Sequence, residues 1–259
     1  MSVWDKFRLD GRRALISGSS RGLGRAIAEA FAEAGADLVL VGRDAEALKQ
    51  AQKELAVFTH RVEVIAADMG VPEDAERMCQ TALAQHGPID ILVNNVGGRR
   101  VDVATEDMAV DEWLKFMDLN LTSAFITTKL IGGAMLPRRY GRVINVSSIA
   151  GAIAFKGIHG RHYETSKAAL VGFTRAVAAD WAPHGVTVNT IAPGPFLTDP
   201  NRRWFRERPG FEEDIRSMIP VGRIGRPEEI GPLALYLASE ASSYMTGAVL
   251  TIDGGFTLW

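Results

Sequence analysis

Short apolar runs along this chain alternate with stretches whose apolar residues recur at helical spacing. Ala14 to Ile16 reads as a strand, and Arg25 to Ala34 then repeats apolar residues on one helical face up to Gly35. The unit recurs. Asp37 to Val41 predicts a strand and Ala45 to Ala56 a helix, and Val62 to Ala66 with Pro72 to His86 repeats the pair. Ile89 to Asn94 predicts a fourth strand, Asp111 to Leu136 one long helix, and Arg142 to Ser147 a fifth strand. A helix from Tyr163 to about Trp181 follows, then strand Val186 to Ile191, helix Pro227 to Ser239 and strand Val249 to Ile252. Such alternation places parallel strands under helices on both faces. Right-handed crossovers make it a doubly wound α/β fold of about seven parallel strands.

No linker or composition shift divides residues 1–259, which are read as one domain. One stretch stands apart. Pro195 to Pro220 is rich in Arg, Asp, Glu and Pro and too long for an ordinary connection, so a substrate lid with short helices is expected at about 195–220. The 29 Lys and Arg nearly balance 31 Asp and Glu, and no block of like charge suggests a nucleic-acid partner. The single cysteine, Cys79, excludes an internal disulfide and a cysteine metal cluster, fits a reducing compartment, and falls in a helical pattern as buried filler. Charges at Asp5, Lys6 and Arg8 interrupt any apolar leader, and no run is long enough to span a bilayer. A cytoplasmic protein without membrane contact is expected.

The turn after the first strand reads Gly18-Ser-Ser-Arg-Gly22-Leu-Gly24. Glycines between a strand and a helix let the backbone approach a diphosphate whose charge faces the helix N-terminus. Tyr163 and Lys167 stand four apart on one helix, where an ammonium favours the phenolate form and tunes a proton donor for an alcohol or ketone.

This Gly-x-x-x-Gly-x-Gly spacing resembles the short-chain dehydrogenase/reductase family, a Rossmann-type fold, and further motifs follow in order. Asn94-Asn-Val-Gly97 resembles the segment that closes the family's fourth strand, with Val96 in place of alanine, and Pro193-Gly-x-x-x-Thr198 resembles the segment that cradles the nicotinamide amide. Ser148 in Asn145-Val-Ser-Ser148-Ile-Ala-Gly151 matches the family serine, and Asn120 in Asp118-Leu-Asn120-Leu matches its helix asparagine. The resemblance implies a catalytic tetrad of Asn120, Ser148, Tyr163 and Lys167. Tyr163 would be general acid in reduction and base in oxidation, and Ser148 would hydrogen-bond the substrate oxygen. Lys167 would hold the nicotinamide ribose, and Asn120 a water that links Lys167 to solvent.

Implied cofactor contacts on the first half of the sheet are Gly18, Ser20, Arg21, Gly22, Leu23 and Gly24 in the turn, with Arg43, Asp68 and Met69 at the adenine end. On the second half they are Asn95, Val96, Gly97, Tyr163, Lys167, Pro193, Gly194 and Thr198. Arg21 and Arg43 suit a 2'-phosphate, and Gly42 stands where relatives that use NAD often carry aspartate, while Asp44 reads as a helix N-cap. NADP(H) is therefore expected over NAD(H), and no metal.

The stretch from Ser148 to Tyr163 is longer than in close relatives, which enlarges the loop Ala154 to His162. Its His159, Arg161 and His162 suit an anionic or polyhydroxy substrate or, as an alternative, are solvated, and Lys156 and Arg161 with Arg99, Arg100, Arg202 and Arg203 suggest a substrate with an acidic group or, equally, exposed surface charge. Arg139 matches ketoacyl-carrier-protein reductases, whereas His184 stands where these often carry arginine. Sugar-acid dehydrogenases, including gluconate 5-dehydrogenase-like members, and reductases of cyclic or xenobiotic ketones look similar. The competing class is a catalytically silent NADP-binding sensor. Ala248 to Gly255 and the helices after Asp111 and Tyr163 resemble segments that pair between subunits, which implies a homotetramer. Phe256 to Trp259 is apolar enough to be buried, by a neighbour or within its own chain.

Overall fold

In the computed structural model, which describes residues 2–59, 61–98, 101–155, 159 and 161–258, seven strands form one parallel sheet. These are β1 (Arg13–Ser17), β2 (Asp37–Gly42), β3 (Val62–Ala66), β4 (Ile91–Asn94), β5 (Gly141–Val146), β6 (Val186–Pro193) and β7 (Val249–Ile252). Their order is β3-β2-β1-β4-β5-β6-β7, with every neighbouring pair parallel. The chain therefore reverses its direction of winding between β1 and β4, which opens a crevice at the carboxyl ends of the strands.

Side-chain alternation explains the layers. Ala14 and Ile16 of β1 face a core under α1 (Gly22–Glu33), α2 (Ala45–Leu55) and α9 (Gly231–Ala238), built on Phe31, Leu48, Leu55 and Leu237. Leu15, between them, faces the opposite core under α3 (Pro72–His86) and α6 (Arg161–Trp181). Cys79 belongs to this second core, fully buried, and burial pushes its thiol up to about 12.

Element bounds follow local chemistry. The first helix starts at Gly22 rather than Arg25, because Gly18 and Gly22 take φ values of +68° and +59° and turn the backbone in early. Asp44 caps α2 as expected, its carboxylate accepting the Ala47 N–H at 3.0 Å.

The long helix expected over Asp111 to Leu136 is interrupted. It consists of α4 (Val110–Met117), a π turn at Asp118–Thr122, α5 (Ser123–Thr127), a second π turn at Thr128–Gly132 and a 3-10 stretch at Gly133–Arg138. The Ser123 and Thr127 hydroxyls bond back to the carbonyls of Leu119 and Ser123 and compete with the helical ladder there.

Two further helices, α7 (Asp199–Glu207) and α8 (Phe211–Ser217), occupy the expected lid segment. Beneath them Ile149, Ile215, Ile219, Ile224 and Phe256 form a third apolar cluster, flanked by Phe155, Phe205 and Phe211. Phe256 is thus buried within its own chain, its ring 5.6 Å from that of Phe155, whereas Leu258 is exposed and Trp259 lies outside the described residues. Among the described residues no helix is long and apolar enough to cross a membrane, and no cluster of His, Cys, Asp or Glu could hold a metal ion.

Candidate active site

The reversal point carries a crevice of about 1030 Å³. Its floor is the turn between β1 and α1, where Gly18, Ser20, Arg21, Gly22 and Leu23 all line the wall. Arg21 is the N-cap of α1 and caps it with no side-chain hydrogen bond, which leaves first-turn N–H groups directed at the crevice.

Gly24 behaves differently from expectation and does not line the crevice. A Cβ there would fall on the Gly18 carbonyl oxygen and 2.5 Å from Asn95 Nδ2, so Gly24 lets helix and turn close on each other. Asn95 clamps the same turn: its amide donates to the carbonyls of Ser17 at 3.0 Å and Gly18 at 3.1 Å. A nucleotide diphosphate fits this cradle of open backbone beside a helix N-terminus.

At one end the crevice is lined by Gly42, Arg43, Asp44, Asp68 and Met69. The Asp68 carboxylate accepts the Gly70 N–H at 3.0 Å and faces Arg43 at 3.9 Å. Asp44 is committed to its cap, so Gly42 and Arg43 leave room and a guanidinium where a ribose substituent would lie.

At the other end the same crevice is lined by Val96, Gly97, Ser148, Tyr163, Lys167, Pro193, Gly194 and Thr198. The two adjacent serines are distinguished by their partners. Ser147 is buried and donates to the Lys167 carbonyl at 2.8 Å, while Ser148, half-buried, accepts the Ala150 N–H at 3.1 Å and keeps its hydroxyl proton for another acceptor.

Lys167 lies buried with its ammonium 5.9 Å from the Tyr163 ring centroid, and donates to the Val146 carbonyl at 3.0 Å. Burial lowers its pKa to about 8. A Cβ on Gly97 would stand 2.6 Å from this nitrogen and 2.9 Å from Asn120 Oδ1, so a side chain there would displace one or both groups.

Asn120, placed in the first π turn, does not reach the crevice wall. Its oxygen accepts the Gly98 N–H at 2.8 Å and its amide donates to the Phe116 carbonyl at 2.9 Å. It fixes the loop after β4 against Lys167.

Comparison with known proteins agrees with this geometry. The family model described as Enoyl-(Acyl carrier protein) reductase matches residues 18–257. The chain is 42% identical over 257 residues to the galactitol 2-dehydrogenase (L-tagatose-forming) of Cereibacter sphaeroides, with 98% of each chain covered. It superposes on a short-chain type dehydrogenase/reductase from Mycobacterium marinum with a TM-score of 0.91 at 38% identity, covering 99% of each chain. The chain belongs to the short-chain dehydrogenase/reductase family. A 3-oxoacyl (acyl-carrier-protein) reductase from Agrobacterium tumefaciens C58, solved with NADP bound, also superposes with a TM-score of 0.91 at 32% identity, over 98% of this chain and 97% of that one. Members of this oxidoreductase family bind nicotinamide cofactors.

In this short-chain dehydrogenase/reductase the loop cations named from sequence disperse. Arg99, Arg100 and Lys156 lie outside the described residues. Arg202 does not line the crevice, Arg203 lines it, and Arg206, which sequence reasoning passed over, lines it too. Arg161 pairs with Glu164 at 3.3 Å, and His159 meets Asp102 at 3.1 Å. Arg139 sits before β5, at the end of the sheet remote from the crevice, and donates to the Pro183 carbonyl at 2.9 Å.

A buried polar ladder supporting the site was also missed. Thr127 donates to Asn94 at 2.6 Å, Asn94 to Asn145 at 2.8 Å, and Asn145 to Thr174 at 2.8 Å. It ties α5, β4 and β5 to α6, the helix that carries Tyr163 and Lys167. The available signal was two asparagines inside apolar strands, where a buried amide requires partners.

Proposed function

We propose that this chain is an NADP(H)-dependent oxidoreductase that transfers a hydride between the nicotinamide and the carbon of a secondary alcohol or ketone. The observation that carries the reading is that Ser148, Tyr163 and Lys167 share one crevice with the glycine turn of α1. When bound, the nicotinamide supplies or receives the hydride. The chain's residues manage the proton and the geometry.

In reduction the Tyr163 hydroxyl gives its proton to the carbonyl oxygen, and in oxidation the phenolate takes it from the alcohol. Ser148 donates a hydrogen bond to that oxygen, which its role as acceptor from Ala150 leaves it free to do. The Lys167 ammonium stabilises negative charge on the phenol oxygen, and the Val146 carbonyl holds it in place. Asn120 is a positioning residue in this scheme, through Gly98.

Arg43, the absence of a carboxylate at Gly42 and the commitment of Asp44 to its cap support NADP(H) over NAD(H). The substrate we infer carries an acidic group, as in a 3-oxoacyl thioester or a sugar acid. No observation favours a silent NADP-binding sensor, which has no use for a proton-donating tyrosine beside a buried lysine. The homotetramer belongs to the same reading, supported by the exposed apolar side chains Val110, Leu114 and Phe125 on α4 and α5.

Tyr163→Phe tests the central claim. NADPH-dependent reduction of a carbonyl substrate falls by about 10²–10⁴-fold, while NADPH binding, followed by its fluorescence, is retained. Unchanged turnover refutes the assignment.

A further inference from the structure

Helix α7 runs from above the glycine turn of α1 to the loop after β4. At its start, Thr198 Cγ2 lies 3.7 Å from where a Cβ on Gly22 would stand, over the glycine turn. At its far end, Arg208 Nη2 donates to Asp102 Oδ2 at 3.2 Å. Asp102, in the loop after β4, also accepts the His159 N–H at 2.9 Å and faces its ring nitrogen at 3.1 Å. One carboxylate thus joins the loop after β4, the enlarged loop before α6 and the end of α7, and these hydrogen bonds hold its pKa below the usual carboxylate range. The helix is also seated from below, by Phe205 on the third apolar cluster. Phe205 on the third apolar cluster, more than the exposed Asp102 contacts, holds the inward face in position.

That face presents Arg203 and Arg206, three apart and both on the crevice wall. Among the other crevice charges, Asp199 stands in the first turn of α7, where a carboxylate favours the helix dipole, and the rest have occupations. Asp44 caps α2, Asp68 holds Gly70 and faces Arg43, Arg21 and Arg43 belong to the cofactor's phosphates on the reading above, and Lys167 belongs to the nicotinamide end. Arg203 approaches Glu207 at 3.7 Å through an exposed pair worth little in water. Arg206 forms no ion pair among the described residues.

Two guanidinium forks on one face of an anchored helix match the oxygens of a carboxylate or phosphate in a way that they do not match a neutral polyol. We propose that Arg203 and Arg206 receive the anionic group of the substrate and make this enzyme select acids over neutral polyols. The inference rests on the oxidoreductase reading and adds the specificity-determining residues to it.

Equilibrium binding to the protein saturated with NADP⁺ tests the proposal without turnover. The probes are 5-keto-D-gluconate, acetoacetyl-CoA and the neutral ketose L-tagatose, titrated by calorimetry. At least one anionic probe binds roughly tenfold or more tightly than tagatose, and which one responds separates a sugar-acid carboxylate from the phosphates of a thioester carrier. The double variant Arg203→Gln with Arg206→Gln removes that preference, while its Kd for NADP⁺ and for tagatose stays within about twofold. Arg202→Gln removes from the same helix one charge that does not line the crevice and leaves every Kd unchanged.

Equal binding of charged and neutral probes, or failure of both anionic probes to bind, overturns the proposal. So does a double variant with its preference intact. Parallel loss of NADP⁺ affinity in the double variant assigns the arginines to the cofactor instead, and an equal effect from Arg202→Gln reduces them to diffuse charge. Failure of the oxidoreductase reading is seen separately, as carbonyl-dependent NADPH consumption that is absent or indifferent to Tyr163→Phe.

Discussion

Replacing Lys167 with methionine should make the protein more stable and less active. The ammonium is buried and its pKa lowered to about 8 from 10.5, so the folded state holds the proton less tightly than the unfolded chain. Below pH 8 both states carry the proton and the burial penalty is fully present. Between about pH 8 and 10.5 the folded protein releases it while the unfolded chain retains it, and stability rises with pH. At 1.36 kcal/mol for each pH unit the penalty near neutrality amounts to about 3 kcal/mol. Methionine has similar length and no charge, but it leaves the Val146 carbonyl without the donor now 3.0 Å away, a loss of about 1 kcal/mol. The net gain is roughly 2 kcal/mol near pH 7, or about 4–8 °C in Tm for a chain of this size.

Urea unfolding of both proteins near pH 7 and near pH 10 measures the difference. The variant's advantage shrinks as pH rises and disappears at the alkaline end, where wild-type Lys167 is neutral. On the proposed mechanism turnover of the variant falls near pH 7, where wild-type Lys167 carries the charge that stabilises the Tyr163 oxygen. A Lys167→Met protein less stable than wild type at pH 7, or an advantage independent of pH, refutes the burial argument.

Gly24→Ala places a methyl group against the Gly18 carbonyl and the Asn95 amide, and should cost about 1–3 kcal/mol of stability together with weakened NADPH binding, read by urea unfolding and fluorescence titration. Asn145→Leu removes the acceptor of one Asn94 N–H and one donor to the Thr174 hydroxyl, while Thr128, Leu170 and Thr190 remain as their partners, and should cost about 1–3 kcal/mol, seen as a lower urea midpoint with an unchanged slope. Arg43→Gln should lower kcat/KM for NADPH by roughly 10–100-fold and leave NADH within about twofold, measured with one fixed carbonyl substrate.

Much of the site was legible because its chemistry depends on short local spacing. The glycine turn, the Tyr163 and Lys167 pair and the choice of Ser148 over Ser147 each follow from residues a few positions apart on one strand or helix. Strand positions were legible for the same reason, since alternation and apolar runs report burial directly. The π turns were not, because they arise where Ser123 and Thr127 hydroxyls compete with the backbone, an energy difference too small to show in an apolar period. Gly24 looked like a cofactor contact because spacing cannot distinguish a glycine that admits a ligand from one that admits a neighbouring carbonyl.

What the sequence determined by itself was the strands, most of the helices, the parallel doubly wound sheet and the pairing of Tyr163 with Lys167 on one helix. Only the tertiary structure decided which groups meet across long separations. It showed that Asn120 turns its amide to Gly98 and Phe116, that Asn94, Asn145 and Thr174 join the sheet to α6, and that Asp102 fastens His159 to Arg208. It also selected Arg203 and Arg206 from a lid crowded with arginines. The physical reason is that helix and strand periods are local properties of the chain, whereas the facing of a side chain into a crevice depends on how packed layers orient the helix that bears it.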